Sequence, residues 1–275
     1  MDEIELGRIP TQRELPEPVK FASPIMLLPE LFTTPRHLAL VLGYLASIGW
    51  EIFVPNLRAA FGKSSTPPLE QLRFNDLTAL AGEALEGIGR DAVVLGHGVG
   101  GLVALKLSEH RRVKAAVAYA PLVPGFRSPI IGGIANRLAM KLGRPIKPPS
   151  GRTLFELIAD SDPFTREGLI NALVPDSGAI ATEVTTGAIE FAAADKAAPR
   201  LVVAGDSDIF APLPETTAFA ESIGAKLATI PGRGHWLIGG RALERAINET
   251  QRFLVRALGQ DLLLLYPEEW KNEQN

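Results

Sequence analysis

Ala92-Val93-Val94-Leu95-Gly96-His97-Gly98-Val99-Gly100-Gly101 is an apolar run that ends in a glycine-rich turn. Four apolar residues bounded by glycine read as a buried strand, and the residues from about Gly100 to His110 read as a helix. Strand, tight turn and helix in that order form the unit from which the rest of the chain can be placed.

Working outward, residues 25–28 (Ile-Met-Leu-Leu) and 51–54 (Glu-Ile-Phe-Val) are further short apolar runs, each ended by a proline. Between them Leu38, Val41, Leu42, Leu45 and Ile48 keep helical spacing and Gly49 supplies a stop, which makes a βαβ unit. A helix over about 69–87 leads into the quoted strand, and Ala115 to Ala118 follows as another. Near-continuous apolar strands alternating with helices argue for a parallel sheet covered on both faces.

From about 122 to 197 the alternation breaks into short helical pieces, at 132–142, 153–158 and 164–173, punctuated by Pro, Gly and Ser. We read this segment as a helical cap inserted into one α/β core of about 20–121 and 198–258. Alternation resumes with a strand at 201–204, a helix at 214–223, a strand at 226–230 and a helix over about 241–258. The tail, 259–275, begins with apolar Leu262 to Leu265 and carries Tyr266 and Trp270, so it is expected to pack on the core or on a second copy. Both ends of the pattern fall within one 275-residue domain.

A formal net charge of -3, with acids and bases interspersed, suggests no patch that would neutralise a phosphate backbone or an anionic membrane, so nucleic acid is not an expected partner. With no cysteine, thiolate nucleophiles and thiolate metal sites are excluded. The four histidines, at 37, 97, 110 and 235, show no metal-ligand spacing, so neither a metal nor an organic cofactor is expected. The charged N-terminus lacks the apolar run of a signal peptide and no run is long enough to span a bilayer. A cytoplasmic chain without stable membrane insertion is therefore expected.

Three motifs stand in one order. Gly96-His97-Gly98-Val99-Gly100 has the form of a nucleophile elbow, G-x-S-x-G, with glycine at its centre. Gly205-Asp206-Ser207-Asp208, followed by Pro212, follows the strand at 201–204, and Gly232-Arg233-Gly234-His235-Trp236 follows the strand at 226–230. Together they resemble the α/β-hydrolase superfamily, esterase/lipase-like with a helical cap, over about residues 22–258. The resemblance nominates Asp208 as the acid, with Asp206 as its competitor, and His235 as the base, and it makes Gly98 a vacated nucleophile position. A glycine there relieves the strain of the turn and deletes the attacking oxygen.

The resemblance also implies an oxyanion hole from the backbone N–H groups of Leu31 and Val99. Where the family carries His-Gly, this chain has Pro29-Glu30, which sets a negative charge beside a site built to hold one. Val54-Pro55-Asn56-Leu57-Arg58-Ala59-Ala60-Phe61-Gly62-Lys63-Ser64 resembles a structural loop of the family. Glu30, Phe32, His97 and Trp236 are expected around the pocket, and Ile130, Ile131, Ile134, Phe155, Phe164, Leu169 and Leu173 of the cap are expected to line it from above.

Without the serine, ordinary acyl-enzyme chemistry is disfavoured, since removing a triad nucleophile costs on the order of 10⁶ in turnover. The expectation is an atypical enzyme acting on a hydrophobic small molecule, with the His-Asp dyad as general base in hydrolysis or in cofactor-free lyase or oxygenase chemistry. The alternatives are a noncatalytic ligand-binding pseudo-hydrolase and an engineered serine-to-glycine variant of an esterase.

Overall fold

A computed structural model describes residues 1–62 and 69–263. Lys63 and Ser64 of the expected loop and the tail beyond Leu263 lie outside the described residues. Among them, eight strands form a single sheet in the order β1-β2-β4-β3-β5-β6-β7-β8: Asp2–Leu6 (β1), Ile9–Glu14 (β2), Ile25–Leu28 (β3), Ile52–Pro55 (β4), Ala92–His97 (β5), Val113–Tyr119 (β6), Arg200–Gly205 (β7) and Lys226–Ile230 (β8).

From β4 to β8 every pairing is parallel. The central strands β3 and β5 are buried along their whole length, which is why each reads as an unbroken apolar run. Around the sheet lie α1 (Ala39–Ser47), α2 (Leu57–Gly62), α3 (Phe74–Ile88), α4 (Val99–Leu107), α9 (Leu213–Ser222) and α10 (Leu243–Leu258). Helices α5 (Ile134–Lys141), α6 (Gly151–Leu157), α7 (Pro163–Asn171) and α8 (Gly178–Thr186) all fall between β6 and β7.

Among the strands and α-helices, β1, β2, α2 and α8 were not expected. Strands β1 and β2 form an antiparallel hairpin on the edge, with Gly7 at φ 63° in its turn and β2 antiparallel to β4. Helix α8 carries three Thr and one Val, poor helix formers, but Ser177 caps it by accepting from the N–H groups of Ala179 and Ile180. At the C-terminal end Leu262 is buried, its carbonyl accepts from Ala22 N–H, and Leu263 bridges Phe21.

Candidate active site

The turn between β5 and α4 is built for close approach. A Cβ on Gly96 would lie 2.1 Å from the Gly100 carbonyl oxygen, and one on Gly100 would lie 2.4 Å from that of Leu28, so neither position admits a side chain. Gly98 sits between them at φ 52° and ψ -116°, in a region L-residues rarely adopt. Its N–H donates to the Tyr119 carbonyl at 2.9 Å, which ties the turn to β6.

His235 follows β8. Its Nδ1 lies 2.8 Å from Asp208 Oδ2, while Asp208 Oδ1 accepts from the N–H groups of Phe210 and Ala211 at 2.7 and 3.1 Å. The competitor Asp206 is used otherwise: it accepts from Gly232 N–H at 2.7 Å and shapes the histidine loop from the solvent side. His97 Nε2 meets the His235 carbonyl oxygen at 2.9 Å, and its ring stands edge-on to both His235 and Trp236. Burial and the neighbouring imidazole lower the His97 pKa to about 4, so it braces the loop as a neutral ring.

The deciding feature is Glu30, which is completely buried. Its Oε1 accepts from both Leu31 N–H, at 2.5 Å, and Val99 N–H, at 2.9 Å. Its Oε2 lies 3.3 Å from His235 Nε2. A Cβ built on residue 98 would stand 1.0 Å from that same Oε2, so the carboxylate fills the volume a side chain at 98 would need. The first N–H groups of α4 carry a partial positive charge, which compensates part of the cost of burying the anion.

The imidazole therefore lies between two carboxylates. Burial alone would lower its basicity, but Asp208 and Glu30 together reverse that and raise the His235 pKa to about 10. At neutral pH the ring is an imidazolium that donates Nδ1–H to Asp208 and Nε2–H to Glu30, and it has no lone pair left to act as a base.

Two acids hold this cluster in place without having signalled it in the sequence. Asp176 Oδ2 accepts from Phe32 N–H at 2.8 Å and pairs with Arg58 Nε at 2.7 Å, fixing the loop after β3 at the point where Phe32 takes φ 65°. Asp160 accepts from Gly234 N–H at 2.7 Å and pairs with Arg233 at 3.3 Å, fixing the histidine loop. Both belong to the segment between β6 and β7, so that segment clamps the two loops carrying Glu30 and His235.

Among the described residues, the pocket expected above the turn is closed. Glu30, Phe32, His97 and Trp236 are all packed in the interior, and the cavities of about 310–730 Å³ described on the surface are lined by none of these, nor by Gly98, Asp208 or His235. Of the cap residues expected to face inward, Ile130 and Ile131 are buried, but Ile134, Phe155 and Phe164 are 79%, 56% and 96% exposed. Short helices with few apolar residues did not reveal which side turns inward.

Among the described residues one group could hold a metal ion: Glu30, His97 and His235 offer ligand atoms within 4.8 Å of one another. A cation there would compete with the proton that Asp208 and Glu30 favour on the His235 imidazole.

The model of the alpha/beta hydrolase family matches residues 29–247, a span that includes the β5–α4 turn, Asp208 and His235. The chain belongs to the alpha/beta hydrolase family. Its fold is similar to that of a monoacylglycerol lipase from Paleococcus ferrophilus, at 18% identity and TM-score 0.68, over 89% of this chain and 98% of that one. It is also similar to a thermophilic esterase from Thermogutta terrifontis, at 18% identity and TM-score 0.64, over 90% and 94%. A lipase-esterase related protein from Clostridium acetobutylicum aligns at TM-score 0.69 and 11% identity, over 90% and 100%. No curated protein sequence matches the chain. In this alpha/beta hydrolase the β5–α4 turn carries glycine at 98, and a side chain built there would meet the Glu30 carboxylate.

Proposed function

We propose that this chain is a hydrolase whose nucleophile is the Glu30 carboxylate, with Gly98 as the vacated serine position and His235 backed by Asp208 as the proton-transfer pair. Its substrate is a hydrophobic small molecule with an electrophilic saturated carbon, of the epoxide class. The observation that carries this reading is the place of Glu30 Oε2, within 1.0 Å of where a side chain at 98 would begin and 3.3 Å from Nε2 of the imidazole.

Acyl transfer is disfavoured because the two N–H donors that would hold a substrate oxyanion are engaged by Glu30's own Oε1. They suit a protein-bound ester instead. Oε2 bonds to the epoxide carbon, the ring C–O bond breaks, and the departing oxygen takes the Nε2 proton of His235. The product is a glutamyl ester whose carbonyl oxygen still lies on Leu31 and Val99 N–H.

Esterification removes one of the two charges that raised the imidazole's pKa, so His235 becomes a base. It takes a proton from water, the hydroxide attacks the ester carbon, and the oxyanion forms against the two N–H donors. Collapse expels the substrate oxygen, which takes the proton from His235 to complete the diol. The new Glu30 carboxyl group then returns its proton to the ring. The sum is epoxide plus water to diol.

The cap, about residues 122–197, must open to admit substrate, because the centre is sealed as it stands. That sealing also favours a second reading, in which Glu30, His235 and Asp208 form a fully satisfied buried ion network and the chain binds ligands without turnover. An engineered change at 98 alone fits poorly, since a side chain there collides with Glu30 as it is placed.

A trapping experiment separates the two readings. His235→Gln removes both the base for the second half-reaction and the proton donor for the first, so prolonged incubation with a panel of reactive aliphatic and aryl epoxides, whose departing oxygen then takes its proton from water, is expected to build up slowly an adduct on the Glu30 peptide that is not hydrolysed, detected by intact-protein and peptide mass spectrometry. No adduct in the variant, together with no diol from the native protein, supports the noncatalytic reading.

A further inference from the structure

We infer that helix α5 (Ile134–Lys141) and its flanks form a docking surface for an anionic lipid bilayer. Between Glu109 and Glu156 the sequence contains no acidic residue, whereas from residue 122 to 155 it carries six cations, at 127, 137, 141, 144, 147 and 152, in a chain whose net charge is -3. The even mixture of charges expected from the whole chain therefore fails locally, and a patch suited to an anionic surface exists where none was expected.

On α5 the segregation becomes an amphipathic face. Ile134, Leu138 and Leu142 follow one another at i, i+4 and i+8 and are 79%, 56% and 56% exposed, which leaves a continuous apolar stripe without a cover. Arg137 and Lys141 lie on the same helix as that stripe, and together with Arg127, Ile131 and Met140 they line a groove of about 730 Å³. No carboxylate pairs with Arg127, Arg137, Lys141 or Arg144 among the described residues. The acids on the neighbouring groove, Glu183 and Asp76, are both engaged at Arg73.

An exposed apolar ridge flanked by unpaired cations is complementary to the interface of an anionic bilayer: the leucine and isoleucine side chains enter the acyl boundary while the cations meet phosphates. A free polyanion would use the cations and leave the ridge in water. No described helix is long and apolar enough to cross a membrane, so the association is peripheral, with the groove wide enough to receive one headgroup.

Flotation of the full chain with vesicles tests this. Vesicles of 7:3 phosphatidylcholine and phosphatidylglycerol are expected to carry the protein upward, and pure phosphatidylcholine vesicles are not. Each lost cation should weaken partitioning roughly fivefold, so Arg137→Ser with Lys141→Ser should lower it roughly 25-fold. Ile134→Ser with Leu138→Ser should also release the protein, with an unchanged melting temperature because both side chains are exposed; Leu138→Ser alone serves if the pair melts early. Equal flotation with both vesicle types, no flotation with either, wild-type flotation of either paired variant, or binding to a short RNA in place of vesicles would each overturn the proposal.

Discussion

Gly98→Ser combined with Glu30→Gly is expected to turn this chain into a serine esterase, labelled by a fluorophosphonate and hydrolysing p-nitrophenyl butyrate at least roughly 10³-fold faster than the native protein. The expectation follows from one overlap. A serine Cβ at 98 would meet Glu30 Oε2 at 1.0 Å, so Gly98→Ser alone either expels the carboxylate or distorts the turn, and it should neither label nor hydrolyse. Removing the Glu30 side chain opens the volume, frees the N–H groups of Leu31 and Val99 for a substrate oxyanion, and returns His235 to a single carboxylate partner. Labelling by the single variant at the rate of the double one would show that Glu30 does not occupy the reacting position.

Glu30→Gln should abolish turnover, by at least roughly 10⁴-fold, and should also change how stability depends on pH. In the native chain the imidazole titrates near 10 when folded and near 6.5 when unfolded. Its contribution to stability is therefore complete below 6.5 and is lost as pH rises toward 10, by up to about 1.4 kcal/mol per pH unit. A glutamine keeps an oxygen for the two N–H donors but carries no charge, and its own N–H can donate to a neutral imidazole. The folded pKa falls, and the pH-dependent loss moves toward neutrality. Urea unfolding between pH 6 and pH 10 reads this directly: parallel stability curves for the two proteins would contradict a charged contact between Glu30 and His235.

The sheet was legible because its central strands are buried on both faces and leave unbroken apolar runs, as at 25–28 and 92–95, and because Gly96 and Gly100 sit where only glycine fits. The edge hairpin was hidden by its charge, since β1 shows Asp2, Glu3 and Glu5 to solvent and needs no apolar run. Asp208 and His235 could be named from their loops, but the contact that decides between roles for them could not. Glu30 read as a charge beside a hole; only the distances show the carboxylate lying on both donors and on the imidazole. Asp176 carried no signal because its partner Phe32 lies 144 residues away in the chain, and Asp160 none because Gly234 lies 74 away.

Oxygen labelling is the most direct test of Glu30 as the reacting group. A single turnover of an epoxide by excess enzyme in water enriched in oxygen-18 should give a diol whose new oxygen is unlabelled, with one heavy oxygen in the Glu30 carboxylate by peptide mass spectrometry. A labelled diol with an unlabelled Glu30 would mean that water attacks the substrate itself, and the glutamyl ester would have no place in the reaction.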